Sequence, residues 1–304
     1  INLCSKFLIL KKVCDRVISQ SIDFFGGGGV YLDMNRRSAV AGLFYPSTRE
    51  EIEAQLNTFE IEPMQRSRYM GAVVPHAGYR YSGSVAASVY AKMEPTETII
   101  LIGPNHGLGN QSLEPAISIY STGAWDTPIG PCEIDELLAS SLLDASSLVQ
   151  PADWAHENEH SLEVQIPFLQ LIRPGLKIVP IIIGRMPDSD INKLATDICG
   201  ALADFGKTLT FVASTDFSHY VSQEKAKILD FMTMKKIIEM DSSGLIDVVR
   251  KNNINMCGVQ ATAVVMDICK ARGATSAELV SYQTSGDTTG DLESVVGYGG
   301  LLIN

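Results

Sequence analysis

Residues 71–106 read GAVVPHAGYRYSGSVAASVYAKMEPTETIILIGPNH, and their order decides the fold class. Two short apolar runs, Gly71–Pro75 and Thr98–Ile102, flank the stretch Ser82–Met93, whose small and apolar residues suit a helix packed on a sheet. Strand, helix, strand at this spacing predicts a βαβ unit. Each run ends in a turn of proline and glycine, and each turn carries a histidine, His76 or His106.

The same rhythm extends outward. Downstream come Lys177–Ile183, Asp188–Phe205, Thr208–Ala213, a long helix near Gln223–Met240, another around Gly258–Ala271, then Glu278–Gln283 and Val295–Ile303. Upstream, Ser47 with Glu50 and Thr48 with Glu51 form two overlapping capping boxes ahead of Ile52, Leu56 and Phe59 at helical spacing. Between the halves, Ala116–Ile134, with Trp125, two prolines and two glycines, reads as a hairpin or irregular excursion before a helix around Glu136–Leu143. The pattern predicts a single α/β domain over residues 34–304, with a central, mostly parallel sheet flanked by helices on both faces. Residues 1–33 differ in texture: a short apolar piece broken by Lys11 and Lys12, then the glycine run Gly26–Gly29. They are expected to be a non-native or mis-called N-terminal extension, since no signal-peptide cleavage site follows cleanly.

Composition narrows the function classes. Acidic residues outnumber basic ones 35 to 24, giving −11, and no basic cluster is available to track a phosphate backbone, so nucleic acid is not an expected partner. No apolar stretch approaches the roughly 18 residues of a membrane span. The six cysteines show no CxxC pairing, which reads as a reducing compartment and makes the cytosol the default location.

With only five histidines in 304 residues, their placement is informative. His76, His106 and His219 each follow a predicted strand, and in open α/β sheets the carboxyl ends of strands build the site. Asp216, three residues before His219, could orient that imidazole or cap a helix. His156-Glu157-Asn158-Glu159-His160 matches the H-E-x-x-H spacing of zinc proteases, but Pro167 and the lack of a downstream acidic ligand argue against that reading. His160 and Glu163, one turn apart, are expected to face the pocket instead. Cys257 lies just before a predicted helix, where the positive field of a helix N-terminus suits a nucleophile or metal ligand, whereas Cys199 and Cys269 fit apolar helix patterns.

Pro75-His76-Ala77-Gly78-Tyr79, Gly103-Pro104-Asn105-His106-Gly107, Glu159-His160-Ser161-Leu162-Glu163, Ser214 through Tyr220, and Ser285-Gly286-Asp287 together closely resemble the Memo family, as does the opening Ala41 to Pro46. That family is named for the mediator of ErbB2-driven cell motility and, in microbes, for the AmmeMemoRadiSam neighbourhood with a radical-SAM protein. The resemblance implies a class III extradiol dioxygenase-like α/β architecture. It further implies His76 and His106 as metal ligands, Cys257 where the dioxygenases use a carboxylate, His219 as an acid/base group beside Asp216, and Tyr79, Asn105, His160 and Glu163 lining the pocket. Thiolate in place of carboxylate shifts the expected cofactor from iron alone towards copper or iron, with zinc possible, and makes oxidoreductase chemistry on a small substrate the leading expectation. Two other readings stay open: a binding module that captures a peptide or partner in the same cleft, and a thiol hydrolase using Cys257, His219 and Asp216.

Overall fold

The computed structural model describes residues 35–304 apart from 60, 62–64, 109–112 and 204, so the expectation for residues 1–33 lies outside the described residues. In chain order the elements are α1 (Arg49–Asn57), β1 (Gly71–Val74), α2 (Tyr79–Lys92), β2 (Thr98–Pro104), β3 (Ile117–Ile119), β4 (Ala124–Thr127), β5 (Gly130–Glu133), α3 (Glu136–Ala145) and β6 (Gln150–Pro151). There follow α4 (Ile166–Ile172), β7 (Lys177–Ile183), α5 (Asp190–Ala201), β8 (Thr210–Ser214), β9 (His219–Val221), α6 (Gln223–Ile238), α7 (Ser242–Lys251), α8 (Val259–Ala271), β10 (Ala277–Thr284), α9 (Ser285–Thr289) and β11 (Val295–Ile303).

The main sheet runs β10-β11-β1-β8-β2-β7-β3-β6, with β9 attached to β11. Its centre, β1-β8-β2-β7, is parallel throughout, with Ala72 and Leu101 both level with Val212. These strands are buried almost without interruption, which is why they read as continuous apolar runs rather than alternating ones. On either side the pairing turns antiparallel: β11 with β1, and β3 with β7. Adjacent residues of a strand face opposite sides of a sheet. A side-chain atom at Gly299 would meet Phe217 and Met234 of α6, while one at Gly300 would meet Val85 and Val89 of α2. The two helices therefore cover opposite faces, as the sequence pattern predicts. On the α6 face, α6 packs on α7 and α7 on α8, which in turn lies across β8 and β2.

Three local readings are refined. Of the two capping boxes before α1, the structure uses Thr48, whose side chain accepts from Glu51 N. The 116–134 excursion resolves into β3 and a β4–β5 hairpin. Helix α7 is not anticipated: Gly244 and the β-branched pair Val248-Val249 weaken its propensity, yet Asp241 caps it and Leu245 anchors it to the core.

A buried ion pair fixes the N-terminal approach to the sheet. Arg36 donates to Glu163 Oε2 at 2.7 Å, and to the His156 and Glu159 carbonyls, each at 2.7 Å. The Glu163 carboxylate also accepts from Ala39 N, Val40 N and Tyr45 Oη. Both side chains are almost wholly inaccessible. Removing one partner from such a pair strands a buried charge. Arg36→Met is expected to lower unfolding stability by about 3–5 kcal/mol in urea titration, and Arg36→Met with Glu163→Gln to recover part of that loss.

Candidate metal centre

His76, His106 and the segment Asp216–His219 follow β1, β2 and β8, three strands adjacent in the sheet, so their loops emerge side by side at its carboxyl edge. Cys257 reaches the same point from the N-terminus of α8. Gly258 makes that approach feasible: a Cβ there would lie 2.5 Å from the Ser214 carbonyl oxygen and 2.6 Å from Thr215 Cβ. Donor atoms of His76, His106 and Cys257 lie within 4.8 Å of one another.

The hydrogen bonds fix which ring nitrogen each histidine offers. Ser214 Oγ donates to the Ser161 carbonyl, so towards His76 Nδ1, 3.0 Å away, it can only accept. His76 therefore carries its proton on Nδ1, and Nε2 presents a bare lone pair 3.3 Å from Cys257 Sγ. His106 Nδ1 donates to Glu159 Oε1 at 2.9 Å, while Glu159 Oε2 accepts from His106 N at 2.6 Å. A carboxylate holding a ligand imidazole in this way fixes its tautomer and orientation. His219 Nδ1 faces two acceptors, the Phe217 and Asn255 carbonyls at 2.7 and 2.8 Å, so its Nε2 is also left bare. Three imidazoles are thus oriented through Nδ1 by three unrelated partners.

Electrostatics follow from burial and these contacts. Burial pushes the His76 pKa well below the ordinary histidine value, helped by neighbouring His106 and His160. For His106 burial acts downward as well, but hydrogen bonds to Cys257 and Glu159 outweigh it and raise the value to about 10. Glu159, fully buried, would be pushed up by desolvation, yet its bonds to His106 hold it below the usual carboxylate range. The site is a buried anion clamped against an imidazole.

The remaining sequence candidates fall in different places. His160 belongs to the cluster: its ring stacks on His106 at 4.8 Å and meets Phe44 at a tilt at 4.7 Å, with Nδ1 3.5 Å from Glu159 Oε1. Asn105 is buried and shapes the His106 loop by accepting from Gly107 N. Tyr79 and Glu163 do not line the pocket as expected. Tyr79 is 2% exposed, donates to the Val164 carbonyl and packs among Tyr45 and Phe168 beneath the site; Glu163 is consumed by Arg36, Tyr45 and two main-chain amides. Asp216 neither caps a helix nor bonds the His219 ring; its Oδ1 accepts from His76 N, and its amide contacts Cys257 Sγ at 3.2 Å. Cys257 is thus paired with His76 and Asp216 N, which is not the relay a Cys257–His219–Asp216 hydrolase requires.

Two supporting residues escape sequence reading. Glu159 differs in no local signal from exposed Glu157, and only the loop geometry selects it. Asp230, buried on α6, accepts from Ser218 N and Oγ and from Tyr282 Oη, tying the loop before His219 to the helix. His156, the other half of the protease-like pattern, points away into a cage of Tyr120 and Trp125, and no helix runs through residues 156–160.

A family model described as Memo-like protein matches residues 36–302. The chain belongs to the Memo family. It is 38% identical over 281 residues to a MEMO1 family protein of Methanobrevibacter smithii, covering 87% of this chain and 98% of that one. A second, from Methanosarcina barkeri, is 37% identical over 271 residues, covering 88% and 99%. Among solved structures, an uncharacterized protein from Escherichia coli K12 shares the fold with a TM-score of 0.52 at 11% identity, covering 77% of this chain and 99% of that one.

The cage around His156 gives a pH prediction. Neither ring nitrogen has a well-formed hydrogen bond, and burial lowers its pKa to about 3. The unfolded chain then takes up a proton that the folded one refuses, so this contribution is full above about pH 6.5 and is lost as pH falls towards 3. His156→Phe should flatten the acid limb of a stability–pH curve from denaturant titrations; an unchanged slope contradicts the assignment.

Proposed function

We propose that this Memo family protein binds a redox-active metal, copper or iron, through His76, His106 and Cys257, and acts on a small substrate with His219 as the proton-handling group. The carrying observation is the convergence of two imidazoles and one sulfur whose donor atoms lie within 4.8 Å of one another, each ring held through Nδ1 so that Nε2 is the nitrogen left to bind an ion, which at His106 takes the place of a proton. The donor set fits a metal. Bonds of about 2.0 Å to nitrogen and 2.3 Å to sulfur at tetrahedral angles place N and S about 3.5 Å apart, and His76 Nε2 and Cys257 Sγ stand at 3.3 Å. Two imidazoles with a thiolate suit copper, zinc or a covalent iron site better than magnesium or calcium.

A copper or iron ion held by His76, His106 and Cys257 would supply electron exchange and Lewis acidity. The chain's own contribution is orientation and proton movement. Glu159 and Ser214 fix the ligand tautomers, and Asp216 anchors the His76 main chain. His219, half-buried and fixed at Nδ1 by two carbonyls, can take or return a proton at Nε2 only. His106 and Cys257 are also half-buried, which leaves one side of the centre accessible to a substrate. This supports a reactive rather than a closed structural centre.

Anaerobically purified protein loaded separately with Cu and Fe(II) is expected to retain about one equivalent per chain after desalting. His106→Ala and Cys257→Ala should each abolish retention, while Glu159→Gln should weaken affinity by about 10–100-fold, the usual loss when a carboxylate behind a ligand histidine is removed. Full retention by Cys257→Ala overturns the ligand set.

A further inference from the structure

Among the described residues nine large hydrophobic side chains are exposed, and four of them lie on one helix: Ile228, Phe231, Met232 and Ile238 of α6, at 58, 48, 40 and 37% exposure. Their spacing of three, one and six residues keeps them on one side of the helix, opposite the buried Ala226, Asp230, Thr233, Met234 and Ile237. The stripe is bordered by exposed Glu224, Lys225, Lys227, Lys235 and Glu239, two acids and three bases. The chain as a whole carries −11, so two copies repel over most of their surface, and an apolar face free of that acidic excess is where they can meet.

The charge order also selects an arrangement. Glu224, Ile228, Phe231 and Lys235 follow one another at i, i+4, i+7 and i+11, a single line along the helix. Two such helices placed antiparallel about a two-fold axis between residues 229 and 230 set Glu224 against the partner's Lys235, and Ile228 against the partner's Phe231, each pair occurring twice. Shifting the axis to lie between 231 and 232 sets Glu224 against the partner's Glu239 and Lys227 against the partner's Lys236, so like charges oppose that register. An apolar centre closed at both ends by opposite charges is the anatomy of an isologous interface.

We propose that α6 is a self-association surface, on which a second copy of this chain packs its own α6 antiparallel, with Ile228 and Phe231 at the centre and Glu224–Lys235 pairs at the rim. The helix begins four residues after His219, and Asp230 on its inner face holds Ser218. The interface would therefore stiffen the wall behind the candidate metal centre without entering it.

Sedimentation equilibrium of the full chain over a wide concentration range tests this. The wild-type mass should rise towards twice that of one chain, and Phe231→Glu should hold the protein monomeric at concentrations at least tenfold higher. Glu224→Lys and Lys235→Glu should each weaken association several-fold, while the two reversals combined in one chain should restore it. Far-UV circular dichroism checks that the variants fold, and Ile228→Lys replaces Phe231→Glu if the latter does not. A wild-type chain monomeric at every concentration overturns the proposal, whatever else then occupies the face. So does a dimer indifferent to Phe231→Glu, or a double reversal as weak as the single ones.

Discussion

The loop from His156 to Glu163 carries two buried carboxylates that face opposite ways, and both the N-terminal approach and the candidate metal centre depend on it. Glu163 looks back to Arg36, Tyr45 and the amides of Ala39 and Val40; Glu159 looks forward to the amide and ring of His106. Arg36 ties the two together, because its guanidinium also takes the His156 and Glu159 carbonyls. A buried charge is costly unless paired and hydrogen-bonded, so each carboxylate enforces the geometry of everything that solvates it. One of those solvating groups is the imidazole of His106, a candidate metal ligand.

The rest of the centre is a consequence of parallel strands. Because β1, β8 and β2 are neighbours running the same way, three loops with different chain positions end within a few ångströms of one another, and α8 can close the fourth side only because Gly258 has no side chain. Side-chain hydroxyl, carboxylate and main-chain carbonyl then do the same task for three histidines, each engaging Nδ1 and leaving Nε2 as the working nitrogen. Rigid strands supply position, and local hydrogen bonds supply chemistry.

Much of this is legible in the sequence, for physical reasons that differ by element. The four central strands announce themselves because burial on both faces demands unbroken apolar runs, and His76, His106 and Cys257 stand out because scarce donor residues sit beside turns and a helix start. What is not legible depends on pairing across long sequence separation. Nothing local tells Glu159 from Glu157, or shows that Glu163 spends its lone pairs on residues more than a hundred positions away. Asp216 reads as a partner for His219 from its spacing, whereas the fold gives it the main chain of His76. Helix α7 is hidden by its glycine and valines and is recovered only through packing between α6 and α8.

The central claim is that two imidazoles and the Cys257 sulfur share one ion. X-ray absorption at the metal edge of the Zn(II)-loaded chain tests it most directly, because zinc imposes no redox complication and its bond lengths separate sulfur from nitrogen. The account predicts one sulfur at about 2.3 Å and at least two nitrogen scatterers at about 2.0 Å, with the sulfur lost in Cys257→Ser. A first shell made only of oxygen and nitrogen in the wild-type chain would contradict it.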